Sequence, residues 1–196
     1  DGRLWVVEMR GYMPDIEGNH EDEPVGRIVV LSDADGDGRF DKSTVFLDTL
    51  IMPRYVLPVG DGALVGEPPK LWYCPDKDGD GQADEKIEVA GDAGAQTIPG
   101  RPELANPEHG ANSPLWALDN WIYFAEYAAR FRWRGNGVFE RGLTSTRGQY
   151  GLSQDDYGRL HYNYNSGHLI TDMTPAHYRL RNPHFPKPGG VAVPPV

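Results

Sequence analysis

Apolar residues in this chain fall into short alternating runs and almost nowhere keep the spacing of an amphipathic helix. Leu4-Trp5-Val6-Val7, Ile28-Val29-Val30-Leu31, Thr44-Val45-Phe46-Leu47, Ala63-Leu64-Val65, Lys70-Leu71-Trp72-Tyr73 and Lys86-Ile87-Glu88-Val89 are rich in β-branched and aromatic side chains. Gly, Asp and Pro punctuate them. The pattern predicts brief strands joined by turns, and therefore an all-β protein. With 24 Gly and 17 Pro in 196 residues, and 39% hydrophobic residues, the composition suits many short strands better than a helical bundle.

The runs also repeat. An Asp-Gly step followed by an alternating strand occurs at Asp1-Gly2-Arg3-Leu4-Trp5-Val6 and at Asp61-Gly62-Ala63-Leu64-Val65-Gly66. It returns more loosely at Asp119-Asn120-Trp121-Ile122-Tyr123-Phe124 and at Tyr157-Gly158-Arg159-Leu160-His161-Tyr162, at intervals of 60, 58 and 38 residues. Repeats of this size, each made of four short strands, are the signature of β-propeller blades, which bury their faces against one another. Three to four blades fit into this length, fewer than a typical closed ring, so an incomplete propeller is expected. The blades are expected over residues 1–177, followed by a Pro-rich loop or linker over 178–196. A single sandwich or barrel is the structural alternative. A start at Asp1 and an ending in Val193-Pro194-Pro195-Val196 fit the expectation that the chain is a piece of a larger protein.

Two stretches, 43 residues apart, share the pattern D-x-D-G-D-G-x-x-D. In the first, Asp33, Asp35, Asp37 and Asp41 take positions 1, 3, 5 and 9 of a calcium loop, with Gly38 at the sharp turn and the Arg39 carbonyl at position 7. Asp76, Asp78, Asp80, Asp84, Gly81 and Gln82 repeat the arrangement. Oxygen ligands spaced two apart suit the high coordination number of calcium. Position 12 departs from an EF-hand, being Thr44 in one loop and Ile87 in the other, and the flanks read as strands. A solvated Asp/Gly hairpin turn without metal is the plain alternative. Mutual repulsion among four carboxylates favours a cation, whose role would be to pin the hairpin.

The net charge is −10, and eight of the acids lie in these two loops. Such a balance argues against a nucleic-acid backbone or an anionic membrane as partner. No apolar run reaches the length of a membrane span, so no membrane insertion is expected in this segment. One cysteine, Cys74, excludes an internal disulfide, a cysteine zinc cluster and a C-x-x-C-H haem site within this chain.

Of six histidines, His109 is singled out by context. It opens a Gly-, Asn- and Pro-bearing loop, His109-Gly110-Ala111-Asn112-Ser113-Pro114, which in a propeller would face the central channel. His109 precedes Asp119 by ten residues, and Trp121-Ile122-Tyr123 follows. Further on, Arg147-Gly148-Gln149-Tyr150-Gly151-Leu152 leads into Asp156-Tyr157-Gly158-Arg159-Leu160. On these two segments the chain resembles the PQQ-dependent sugar dehydrogenases of the soluble aldose and pyranose type, which are six-bladed propellers. It is most similar to their bacterial relatives described as membrane-bound dehydrogenases, often fused to a cytochrome c domain.

The resemblance implies a periplasmic or secreted quinoprotein that oxidises a sugar or polyol. On it, His109 is the general base, Arg147 pairs with the quinone oxygens, and carbonyls near Asn165, Ser166 and Gly167 help to hold a calcium beside PQQ. Electrons would pass to a cytochrome. Asp119-Asn120 stands where the family has Asp-Gly, and Tyr150 where it prefers Gln. The chemistry is coherent, since His titrates near ambient pH and Arg keeps its charge beside a reduced oxygen. The competing expectation is a non-catalytic, calcium-stiffened propeller of NHL type that binds carbohydrate or protein. Trp116, Trp121, Tyr123, Phe124 and Tyr127 read as core. Arg130, Arg132 and Arg134 alternate along one strand and give it a basic face.

Overall fold

In the computed structural model the chain is all-β, with one short helix among the described residues. The structure describes residues 2–94, 97–98, 101–105, 109–182, 184 and 191–192. Four antiparallel sheets follow one another, each a meander of consecutive strands. The first holds β1 (Leu4–Glu8), β2 (Gly26–Ser32) and β3 (Lys42–Leu50). The second holds β4 (Tyr55–Val59), β5 (Gly62–Glu67), β6 (Lys70–Pro75) and β7 (Ile87–Ala90). A two-stranded ribbon, β8 (Thr97–Ile98) and β9 (Arg101–Ala105), precedes the third sheet of β10 (Asn112–Trp116), β11 (Ile122–Ala125), β12 (Ala129–Trp133) and β13 (Phe139–Leu143). The fourth sheet holds β14 (Ser153–Gln154), β15 (Leu160–Tyr162), β16 (Ile170–Thr171) and β17 (Val191–Ala192), with helix α1 (Ala176–Arg179) between the last two strands. None of these sheets closes on itself.

The final strand, β17, comes from the Pro-rich tail and pairs with β16 through Ile170↔Ala192 and Thr171↔Val191. Residues 183, 185–190 and 193–196 of that tail lie outside the described residues.

Successive residues of a strand face opposite sides of its sheet. In β5 this sends Ala63 and Val65 to one side and Leu64 to the other, and all three are fully buried. Ala63 and Val65 join Ile28, Val30, Phe46, Leu50 and Cys74 in a cluster between the first and second sheets. Leu64 joins Leu71, Tyr73, Ile122, Phe124 and Phe131 between the second and third. Trp121, Tyr123 and Leu160, with Leu115 and Leu152 against them, join the third sheet to the fourth. The core is thus a series of inter-sheet layers. Burial pushes the Cys74 thiol up to about 12, so it packs as a small hydrophobe.

The internal repeat aligns β1, β2 and β3 with β5, β6 and β7. An Asp-Gly step opens β1 and β5, and the two Asp loops connect β2 to β3 and β6 to β7. The first sheet therefore has no counterpart of β4 among its strands. Both β4 and β10 are edge strands and carry a proline, Pro58 and Pro114, at a place where a missing N–H is tolerated.

Strand direction assigns every loop to one of two ends. Asp loops 33–41 and 76–84 share their end with the turns at 60–61, 117–120 and 134–138. The opposite end carries residues 51–54, 67–69, 109–111, 126–128 and 144–151. Backbone hydrogen bonds tie the sheets together there: Ala93 donates to Pro69 at 2.7 Å, Ala111 to Ala93 at 2.8 Å, and Gln149 to Asn163 at 3.1 Å. Among the described residues no helix is long and apolar enough to cross a membrane.

Because Leu64 lies in a layer shared by two sheets, Leu64→Ala is expected to destabilise the protein by about 2–5 kcal/mol. Leu143→Ala, at a residue 70% exposed, is expected to stay within about 0.5 kcal/mol of the parent. Chemical denaturation of the two variants measures both.

Candidate functional site

The end opposite the Asp loops brings His109 next to a residue that sequence spacing does not single out. β11 is buried along its whole length, and the chain leaves it at Glu126 in a left-handed conformation, φ 56°. That conformation costs a non-glycine residue on the order of 1–2 kcal/mol. It is held from two sides. The Glu126 N–H donates to the Arg147 carbonyl at 3.0 Å, and its Oε1 lies 3.3 Å from Nδ1 of His109. The Glu126 side chain is 14% exposed and that of His109 is 43% exposed. A carboxylate acceptor at Nδ1 favours the tautomer protonated there, in which Nε2 keeps its lone pair.

A permanent cation stands close by. Burial pushes the Arg54 guanidinium down from its ordinary pKa, against the opposing influence of Tyr150, Tyr12, Tyr55 and Glu126. Asn112 fixes the neighbouring turn by donating from Nδ2 to the carbonyls of Gly110 at 3.1 Å and Gln149 at 2.7 Å. Asn165, Ser166 and Gly167 form an exposed turn after β15 at this same end, closed by the Gly167 N–H on the Tyr164 carbonyl at 3.1 Å.

Arg147 has only its backbone at that end. Its side chain turns inward and is 1% exposed. Nη2 donates to Asp172 Oδ2 at 2.9 Å, Thr144 Oγ1 at 3.0 Å and Ser145 Oγ at 3.1 Å, and Nε donates to Asp172 at 3.2 Å. The other Asp172 oxygen accepts from the Tyr162 hydroxyl at 3.1 Å. Nη1 is buried and has no acceptor. The guanidinium also lies 5.4 Å from the centre of the Tyr123 ring, and burial first of all pushes the Tyr123 phenol up to about 12. Arg147, Tyr123 and Asp172 line a cavity of about 230 Å³ between the third and fourth sheets, with Asp119, Tyr157 and Arg159 at its margin. His109 is not part of that lining.

The Asp loops lie at the far end of the sheets. In the first, oxygens of Asp33, Asp35 and Asp37 lie within 4.8 Å of one another; in the second, those of Asp76, Asp78 and Asp84 do. Asp33 accepts from the N–H groups of Gly36 at 2.7 Å and Gly38 at 2.8 Å, and these backbone donors, Gly38 first, hold its carboxyl below the ordinary value. Asp76 likewise accepts from the N–H groups of Gly79 at 2.8 Å and Gly81 at 3.0 Å. Asp41 and Asp84 brace the loops by accepting from Ala34 and Lys77. Asp80 accepts from the Gln82 N–H at 2.7 Å, and the Arg39 N–H donates to Asp37 at 2.8 Å. Oxygens are gathered and oriented in both loops, a donor set that fits calcium.

A family model described as a domain of unknown function, DUF7133, matches residues 1–194. The chain belongs to the DUF7133 family. No curated protein and no solved structure matches it. The site of this DUF7133 chain thus rests on its own geometry. PQQ, which the resemblance implies, carries carboxylates and quinone oxygens that need cations presented to them. Arg147 as found here does not fit that need: Nε and Nη2 are committed to Asp172, Thr144 and Ser145, and Nη1, which keeps no acceptor, belongs to a side chain lining a cavity that His109 does not share. The missed residues are Glu126, which lies 17 positions from His109 and meets it through sheet packing, and Arg54, whose charge acts on Glu126; no local motif reports either.

Removing one partner of a buried ion pair leaves an uncompensated charge. Asp172→Asn is therefore expected to destabilise the DUF7133 chain by about 3–5 kcal/mol, whereas Arg147→Met combined with Asp172→Leu recovers most of that loss. Denaturant titrations of the single and double variants check both.

Proposed function

We propose that this chain contributes blades to a six-bladed β-propeller in the periplasm or outside the cell, and that the end carrying His109 is the substrate side of a dehydrogenase acting on a sugar or polyol hydroxyl. The observation that carries this reading is the Glu126 carboxylate on Nδ1 of His109, whose side chain is partly exposed. A general base in this arrangement takes the proton of a bound hydroxyl, and Glu126 offsets the charge that appears on the imidazole. Arg54, beside Glu126, supplies a fixed positive charge on the same side. Four-stranded meanders that share their cores with the next sheet are what blades require, which supports the propeller part of the reading. PQQ as oxidant and a cytochrome c domain as electron acceptor come from the resemblance alone, and no step is derived through them.

The test is dye reduction by the full-length protein supplied with PQQ and calcium, across a panel of aldoses and polyols. His109→Ala is expected to lower kcat by about 10²–10⁴-fold, and Glu126→Gln by a smaller factor, with both variants still folded. Turnover that survives His109→Ala would overturn the assignment of the base.

The commitment of Arg147 to Asp172 favours a second reading, a calcium-stiffened propeller of NHL type that binds carbohydrate or protein without turnover. Absence of dye reduction with every substrate, joined to sugar binding that survives His109→Ala, would select it. Both readings place calcium in the Asp loops as a structural ion. Calcium at about 100 times its dissociation constant is then expected to add on the order of 2.7 kcal/mol per site, reversed by chelator and lost in Asp33→Asn/Asp76→Asn. The sign with pH follows from Asp33, whose carboxyl is depressed in the fold. Its contribution is complete above the unfolded value and is lost as pH falls through the folded one. Thermal melts with and without calcium across that range measure it.

A further inference from the structure

At the Asp-loop end of the third sheet, a cleft of about 280 Å³ opens between the β10–β11 turn and the end of β12. Trp116, Asp119, Asn120, Arg132, Trp133 and Arg134 line it. We propose that this cleft binds a hexuronate, a sugar ring bearing one carboxylate, with Arg132 as the residue that recognises the acid.

Arg130 and Arg132 lie two apart on β12, and both guanidinium groups sit over the Trp121 ring, at 4.0 and 4.3 Å from its centre. Their other partners differ. Arg130 donates from Nη1 to the Tyr123 hydroxyl at 2.9 Å and approaches Asp119 at 3.8 Å. Arg134 donates from Nε to Glu140 at 2.8 Å. Arg132 has no carboxylate within ion-pair reach among the described residues, and its shielded Nε has no acceptor. In a chain of net charge −10, a partly buried guanidinium whose one described partner is an aromatic ring is a cation held in place for an acid that the sheet does not supply.

The chemistry narrows the ligand. A guanidinium offers a planar fork of donors that fits a carboxylate through two parallel bonds. Asp119 and Glu140 already face Arg130 and Arg134, so the cleft has one positive charge to neutralise. A dianionic phosphate would bring a second negative charge beside those carboxylates. Trp133 is a fixed wall: its ring packs on Tyr73 at 5.2 Å and Phe139 at 5.0 Å, and it closes over Gly60, where a side chain would collide with it. Trp116 is 38% exposed and offers a second apolar surface. Aromatic faces are electron-rich and accept the polarised C–H groups of a pyranose, while the Asn120 amide can both donate to and accept from ring hydroxyls. The cleft lies at the end away from His109 and does not depend on the dehydrogenase reading.

Isothermal titration of the full-length protein with trigalacturonate, at low salt and with calcium present, tests the proposal. Binding is expected to be at least tenfold tighter than for the neutral galactose trisaccharide and to weaken as salt rises. Arg132→Gln and, separately, Trp116→Ala are each expected to weaken it at least tenfold without lowering the melting temperature, while His109→Ala leaves it in place. No binding of trigalacturonate, equal affinity for the neutral trisaccharide, or binding unchanged in both Arg132→Gln and Trp116→Ala would overturn it.

Discussion

Interior strands such as β5 and β11 carry apolar side chains on both faces, and one sheet cannot cover both. That constraint sets the architecture. Leu64 needs the third sheet and Val65 needs the first, although they are neighbours in β5. The second and third meanders therefore each sit between two others, and chain order becomes spatial order. Burial on both sides also removes most of the sheet faces from use as binding surfaces, the cavity beside Arg147 being the exception described above. Chemistry is left to the two ends, where strands turn and side chains reach solvent.

The end that carries His109 shows how a buried interaction can govern an exposed one. Asp172 holds the Arg147 side chain inside the joint between the third and fourth sheets. With that side chain fixed, the Arg147 carbonyl is a fixed acceptor for the N–H of Glu126, and Glu126 keeps its left-handed backbone. The carboxylate of Glu126 then meets His109. Arg147 thus positions the imidazole through the backbone of an intermediate residue and need not touch a ligand to matter. This is a different part from the one its resemblance to quinoprotein dehydrogenases implies, and it explains a large side chain buried at the cost of one unsatisfied Nη1.

Much of the strand pattern was legible from residue alternation. The runs beginning at Leu4, Ile28, Thr44, Ala63, Lys70 and Lys86 correspond to β1, β2, β3, β5, β6 and β7 within a few residues. Tyr55–Val59 and Asn112–Trp116 were harder to read as strands because Pro58 and Pro114 interrupt them, and proline argues against a central strand. Both prove to be edge strands, where that objection has no force. In the site, His109 was legible because Gly, Asn and Pro crowd its loop. Glu126 was not, since a lone acid after an apolar strand looks like any solvated turn until packing brings the His109 loop against it.

The two ends also differ electrically, and this bears on what each can bind. Eight carboxylates belong to the Asp loops at one end, within a chain whose acids already outnumber its bases by ten. Without cations, that end repels anions; two divalent ions would leave the whole chain at about −6 and remove most of the local repulsion. Arg132 belongs to this end. A cation that stiffens the hairpins would therefore also clear the field around an acid-binding cleft, linking metal occupancy to ligand affinity without any change of shape. The His109 end carries acids too, Asp15, Glu17, Glu21, Asp22 and Glu23 in the loop between β1 and β2, although among the described residues they are not gathered as the Asp-loop carboxylates are, and Arg54 and Glu126 offset one another. A neutral ligand, such as the polyol proposed above, carries no charge for either end to repel, so only an anionic ligand would sense the difference between them.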